Sequence, residues 1–124
     1  MTGQTGRRHR RGILLLVVIA LALLPTIAPA AISVVRAQGE DWVPAIKRVV
    51  KGTRISWRNP TNKVHDVSAY GENWSFSRVL DSGERASRVF WKVGRYKYRC
   101  RRHSAMIDGG CKGMCGVVRV RAPS

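Results

Sequence analysis

The chain is 124 residues long, room for one modest domain and too little for two. It carries 23 Lys and Arg against 7 Asp and Glu, a net charge of +16, yet 44% of its residues are hydrophobic, which excludes a disordered polycation. Three cysteines exclude a disulfide-dense mini-protein, and one long apolar run excludes a polytopic membrane protein.

Arg7, Arg8, Arg10 and Arg11 precede an unbroken apolar run from Ile13 to Leu24, followed by Pro25 and the small residues Ala28-Pro29-Ala30-Ala31. A basic region, a short apolar core and an A-x-A site are the layout of a secretory signal peptide. A second candidate cut follows Ala37, and left uncleaved the segment would form a hydrophobic anchor helix tying the domain to a membrane. The expected organisation is therefore a signal or anchor over 1–37 and one domain over 38–124, outside the cytosol, secreted, periplasmic or attached to the cell envelope. Export takes five arginines out of the folded domain, so the 87 residues from Gln38 onward keep 18 of the basic side chains.

After Gln38 no stretch sustains a helical apolar period. Short alternating runs recur between turn signals at Lys51-Gly52, Asn59-Pro60, Asp81-Ser82-Gly83 and Val93-Gly94. Thr53–Arg58 puts Ile55 and Trp57 on one face and arginines on the other. Arg95–Cys100 alternates likewise, with Tyr96, Tyr98 and Cys100 on one side, and Val117–Arg121 makes a last strand. Roughly six to eight such strands predict an all-β sandwich or barrel. Arg54, Arg58, Lys97, Arg99, Arg119 and Arg121 take the solvent parity of their strands. No Arg-rich helix, aromatic RNA-binding motif or paired CxxC module is present, so nucleic acid is not an expected partner.

Two histidines remain beyond the signal, His65 and His103. His65 shares strand parity with Val67 and Ala69, toward the core. Cys100 ends the tyrosine strand on its core face, His103 follows after two residues, and a loop containing Met106 and Met114 leads to the last strand. Two imidazoles, a thiolate and a thioether are the donor set for copper cycling between Cu(I) and Cu(II). A Cys-His protease dyad lacks its orienting third residue here, so no enzyme is expected.

These segments resemble the cupredoxins, the plastocyanin, amicyanin and pseudoazurin class of small blue copper proteins. The resemblance runs from Trp42 to Val120. It is carried by Val50–Asn59, by Val64-His65-Asp66-Val67, by Gly94–His103 and by Gly113–Val118. It implies a Greek-key β-sandwich, a type 1 copper site and one-electron transfer, with His65, Cys100 and His103 as ligands. Amicyanin-like spacing selects Met106 as the axial ligand. Met114, which precedes Gly116 and the final strand as the family's ligand does, is favoured. The insertion from Ile107 to Gly113 departs from the short-loop pattern. With Cys100 on the metal, Cys111 and Cys115 are left as a pair for a disulfide. The alternatives are a copper carrier or storage protein using the same ligands, or a Cys3His zinc site of Cys100, His103, Cys111 and Cys115.

By the same resemblance His103 is the exposed imidazole through which electrons pass. Arg99, Arg101 and Arg102 beside it imply an acidic redox partner, the protein itself acting as a monomer. Asp66 is expected to hold the ligand strand, being too hard a donor for Cu(I).

Overall fold

The structure, a computed structural model, describes residues 2–3, 6, 15 and 17–124. Arg7, Arg8, Arg10 and Arg11, on which the expected signal or anchor helix begins, lie outside the described residues. Among the described residues no helix is long and apolar enough to cross a membrane.

Nine strands follow in order: β1 (Ile32–Gln38), β2 (Asp41–Val43), β3 (Ile46–Val50), β4 (Thr53–Arg58), β5 (His65–Tyr70), β6 (Ser77–Leu80), β7 (Arg85–Phe90), β8 (Gly94–Ile107) and β9 (Gly110–Arg121). They form two sheets, ordered β2-β1-β4-β7 and β3-β9-β8-β5-β6, and the chain crosses repeatedly between them. This is the all-β Greek-key sandwich expected. The predicted alternation holds: Ile55 and Trp57 of β4, Tyr96, Tyr98 and Cys100 of β8, and Val118 and Val120 of β9 are all buried in one core.

Two features differ from the sequence reading. The sandwich begins before Gln38, because β1 lies between β2 and β4 and pairs in parallel with β4 from Ile32↔Arg54 to Arg36↔Arg58. Val35 and Ala37 are core residues, with 0% and 2% exposure. A cut after Ala37 would remove them, whereas a cut after Ala30 leaves β1 whole.

The second difference is in the segment between Cys100 and Met114, read as a loop. It is a β-ribbon, with β8 and β9 pairing from Ser104↔Gly113 to Ile107↔Gly110 after a break in register between Arg99 and Ser104. Asp108 and Gly109 close it with φ of 51° and 75°. Positive φ at both central residues is the two-residue hairpin turn whose twist matches the strands it joins, and Asp-Gly is a preferred sequence for it.

A chain beginning at Ala31 is expected to unfold cooperatively on heating, and one beginning at Gln38 to lose that transition, because its sheet lacks an interior strand. Equal melting profiles would contradict this role of β1.

Candidate metal centre

The donor atoms of His65, Cys100 and His103 come together at one end of the sandwich, all within 4.8 Å of one another. His103 Nδ1 is 3.4 Å from Cys100 Sγ, His65 Nδ1 is 3.9 Å from it, and the two Nδ1 atoms are 3.1 Å apart. His65 starts β5, and Cys100 sits where the tyrosine alternation of β8 carries it inward. His103 sits in the stretch where the register with β9 shifts. His65 and Cys100 are fully buried, while His103 keeps 18% of its side chain exposed.

Each ring is aimed by its outward nitrogen. His65 Nε2 lies 3.1 Å from the Thr61 hydroxyl, which donates at 2.6 Å to Asn59 Oδ1. Asn59 Nδ2 in turn donates to the carbonyls of Lys63 and Leu80. With Nε2 carrying the proton toward Thr61, Nδ1 is left as a free donor. Burial, then the charges of His103 and Lys63, lower the His65 pKa, so the ring stays neutral as a ligand must. His103 Nε2 faces Glu40 Oε1 at 3.7 Å, and Glu40 is bound by Lys63 Nζ at 2.8 Å. The Lys63 hydrogen bond and charge hold the Glu40 carboxyl below its ordinary value. Trp42 packs against both His65 and Tyr98, closing the inner side with aromatic rings.

Asp66 organises the thiol. Its backbone N–H donates to Cys100 Sγ at 3.3 Å, and its buried carboxylate accepts from the Ser68 hydroxyl (2.6 Å), the Arg101 amide (3.1 Å) and the Arg102 amide (3.4 Å). Burial pushes its carboxyl up, but the bonds from Ser68, Arg101, Cys100 and Arg102 outweigh burial and hold it below the ordinary value. Burial raises the Cys100 thiol above its ordinary value, so without a metal it stays protonated and points at Asp66 Oδ1, 3.4 Å away.

The two methionines lie in different surroundings. Met114 is fully buried in the core on β9, after Gly113, whose φ of 102° and approach to the His103 carbonyl leave no room for a Cβ. Met106 is 41% exposed on the ribbon, opposite Cys111. Cys111 is disulfide-bonded to Cys115 and Cys100 is free. With both thiols of that pair consumed, the Cys3His zinc set does not form.

The three arginines are held differently. Arg99 Nη1 donates to the hydroxyl and carbonyl of Ser104, and Arg101 is tied to Asp66, Ser68 and Ser77. Arg102 is exposed, and among the described residues its guanidinium makes no hydrogen bond or ion pair. Asn59, Thr61 and Glu40 did not emerge from the sequence. The Asn59-Pro60 turn signal marked only a bend, and Glu40 reaches the site from the turn between β1 and β2.

No family profile and no curated protein matches this sequence. Solved structures do. A reduced amicyanin mutant superposes with a TM-score of 0.60 at 23% identity, over 77% of this chain and 87% of that one. A purple cupredoxin from Nitrosopumilus maritimus gives 0.54 at 20% identity, over 72% and 99%. The chain has the cupredoxin fold. A copper-containing nitrite reductase from Thermus scotoductus gives 0.61 at 24% identity, over 79% of this chain but 24% of that enzyme, so the likeness to it covers about one quarter of its length.

The donor chemistry fits copper: two imidazole nitrogens and one sulfur converge at one end of the sandwich, with a buried thioether on the adjoining strand.

In the metal-free chain, Asp66 is expected to contribute stability in full above the ordinary carboxyl value of 3.8, and to lose it as pH falls through its depressed native value. Asp66→Asn should cost about 1–3 kcal/mol near neutrality, because amide donors lose a charged acceptor. It should also flatten the acid limb of the stability profile. Parallel acid limbs for the two proteins would overturn this assignment.

Proposed function

We propose that this protein is an exported one-electron carrier, not an enzyme, in which His65, Cys100, His103 and Met114 would hold one copper ion. The observation that carries the reading is the convergence of both Nδ1 atoms on Cys100 Sγ. Burial of Met114 supports it over Met106, which lies exposed on the ribbon.

When bound, copper supplies a Cu(II)/Cu(I) couple. The protein's part is to keep the donors still. Thr61 and Asn59 fix one ring, the Asp66 amide holds the sulfur, and the core excludes water on the inner side. Donors held by these side-chain and amide contacts would move little between oxidation states. His103, the more exposed imidazole, is the natural contact for a partner. Arg102 beside it favours an acidic redox protein, with Arg101 spanning to Asp66 behind. The Cys111–Cys115 bond and the leader-like N-terminus support an oxidising compartment outside the cytosol. Retention of β1 supports processing after Ala30 over Ala37.

Adding Cu(II) to the purified chain should produce an intense visible thiolate-to-copper band with a matching EPR signal. Loading should release about one proton, from Cys100 Sγ, near neutral pH. Cys100→Ser should abolish the band and leave the fold intact. A colourless copper-loaded protein would overturn the type 1 reading, and reversible redox cycling without loss of metal separates a carrier of electrons from a carrier of copper.

Electron exchange with an acidic redox protein should slow as ionic strength rises. Arg102→Glu should slow it roughly threefold to tenfold at low salt, with little change at high salt. A rate indifferent to salt would remove the docking role.

A further inference from the structure

The outer face of the β2-β1-β4-β7 sheet carries charge that no ion pair balances among the described residues. The register places Arg36 of β1, Arg58 of β4 and Arg85 of β7 in one cross-strand row. Neighbouring strands lie about 4.8 Å apart, so three guanidinium-bearing side chains leave the sheet side by side. Like charges directly opposite one another are destabilising. The next row is small, Ser56 against Ser87, and Arg54 closes the far side by donating to the Ser87 hydroxyl at 3.1 Å. The result is a cleft of about 300 Å³ with Ser56 and Ser87 in its lining and Arg54, Arg58 and Arg85 among its walls.

Two observations distinguish this cleft from an ordinary solvated basic face. Arg58 Nε is fully buried and has no hydrogen-bond partner among the described residues, an expensive state for a cationic donor that it shares with Arg119 Nε on the other sheet. Among the described residues no ion pair joins any of the four arginines to an acid, although Glu84 lies at the edge beside Arg58 and Arg85. Ser56 is itself 5% exposed, so the floor is a sheltered place for a polar contact.

We infer that this cleft is an oxyanion site, selective for a phosphate group. Guanidinium groups reach it from more than one strand, and hydroxyls line it. This arrangement suits a tetrahedral anion with several acceptor oxygens better than a planar carboxylate, which one arginine satisfies in a fork. The phosphate is either a free anion or the phosphodiester of a lipid headgroup, and the chemistry of recognition is the same. The site stands on the sheet face away from the core and does not rest on the copper reading.

The test is titration of the full chain, followed by the Nε–H resonance of Arg58 at fixed ionic strength. Inorganic phosphate is one arm, glycerophosphoglycerol the second and chloride the control. Saturable shifts with either phosphate and none with chloride are expected. Tighter binding of the diester assigns the headgroup, and tighter binding of inorganic phosphate assigns the free anion. Arg85→Gln should weaken binding roughly tenfold, the loss of one charged hydrogen-bonding partner, and leave the melting curve intact. Ligand-dependent melting adds a second readout: saturating phosphate should raise the midpoint by roughly 5 °C in the parent and by less in the variant. Shifts that stay linear, or that chloride reproduces, overturn the proposal, as does equal binding by the parent and Arg85→Gln.

Discussion

The metal centre depends on what replaces the backbone ladder where β5 and β8 part. The two strands pair from Tyr70↔Lys97 to Ser68↔Arg99, and there the pairing stops. Beyond it the Asp66 carboxylate accepts the amides of Arg101 and Arg102, while its own amide reaches the Cys100 sulfur. One buried side chain thus does the work of the missing rungs. It lets β8 diverge to present Cys100 and His103 without leaving the amides of Arg101 and Arg102 unpaired. A buried carboxylate is costly unless its oxygens are satisfied, and here amides, a hydroxyl and the Arg101 guanidinium surround it.

The same divergence creates the ribbon. Between Cys100 and Met114 the chain has to leave the sheet, turn and return with a buried thioether. The Asp108-Gly109 turn, the bridge from Cys111 to Cys115 and the close approach of Gly113 to the His103 backbone make that excursion ordered. Because the excursion is stiff, His103 is held at the surface and not swung over it. Its outer nitrogen meets the Glu40–Lys63 pair, which places a carboxylate beside the more exposed imidazole of the site.

The large positive charge resolves into groups with separate physical roles. Arg101 neutralises Asp66, Arg99 braces the ribbon through Ser104, and Arg102 alone of that trio presents a free cation. On the opposite sheet, Arg36, Arg58 and Arg85 share a row without acids, which is a reason to look for an anion there and not for a protein partner.

Much of this was legible in the residues. Period-two alternation put Ile55, Trp57, Tyr96, Tyr98 and Cys100 on core faces, because side chains on a strand alternate whatever the strand pairs with. The chemistry of two histidines, a cysteine and a methionine named copper for a similar reason: donor softness belongs to the residue and not to its neighbours. The start of the sandwich is hidden in the sequence because signal-like composition runs directly into β1, and only pairing with β4 shows that Val35 is core. The ribbon is not legible from Asp108-Gly109 alone, since a turn signal acquires meaning only when both flanking arms find partners. Asn59, Thr61 and Glu40 carried no local mark at all. Their roles follow from which strand ends the two sheets bring together, and distance across a sandwich is not written in any short stretch of chain.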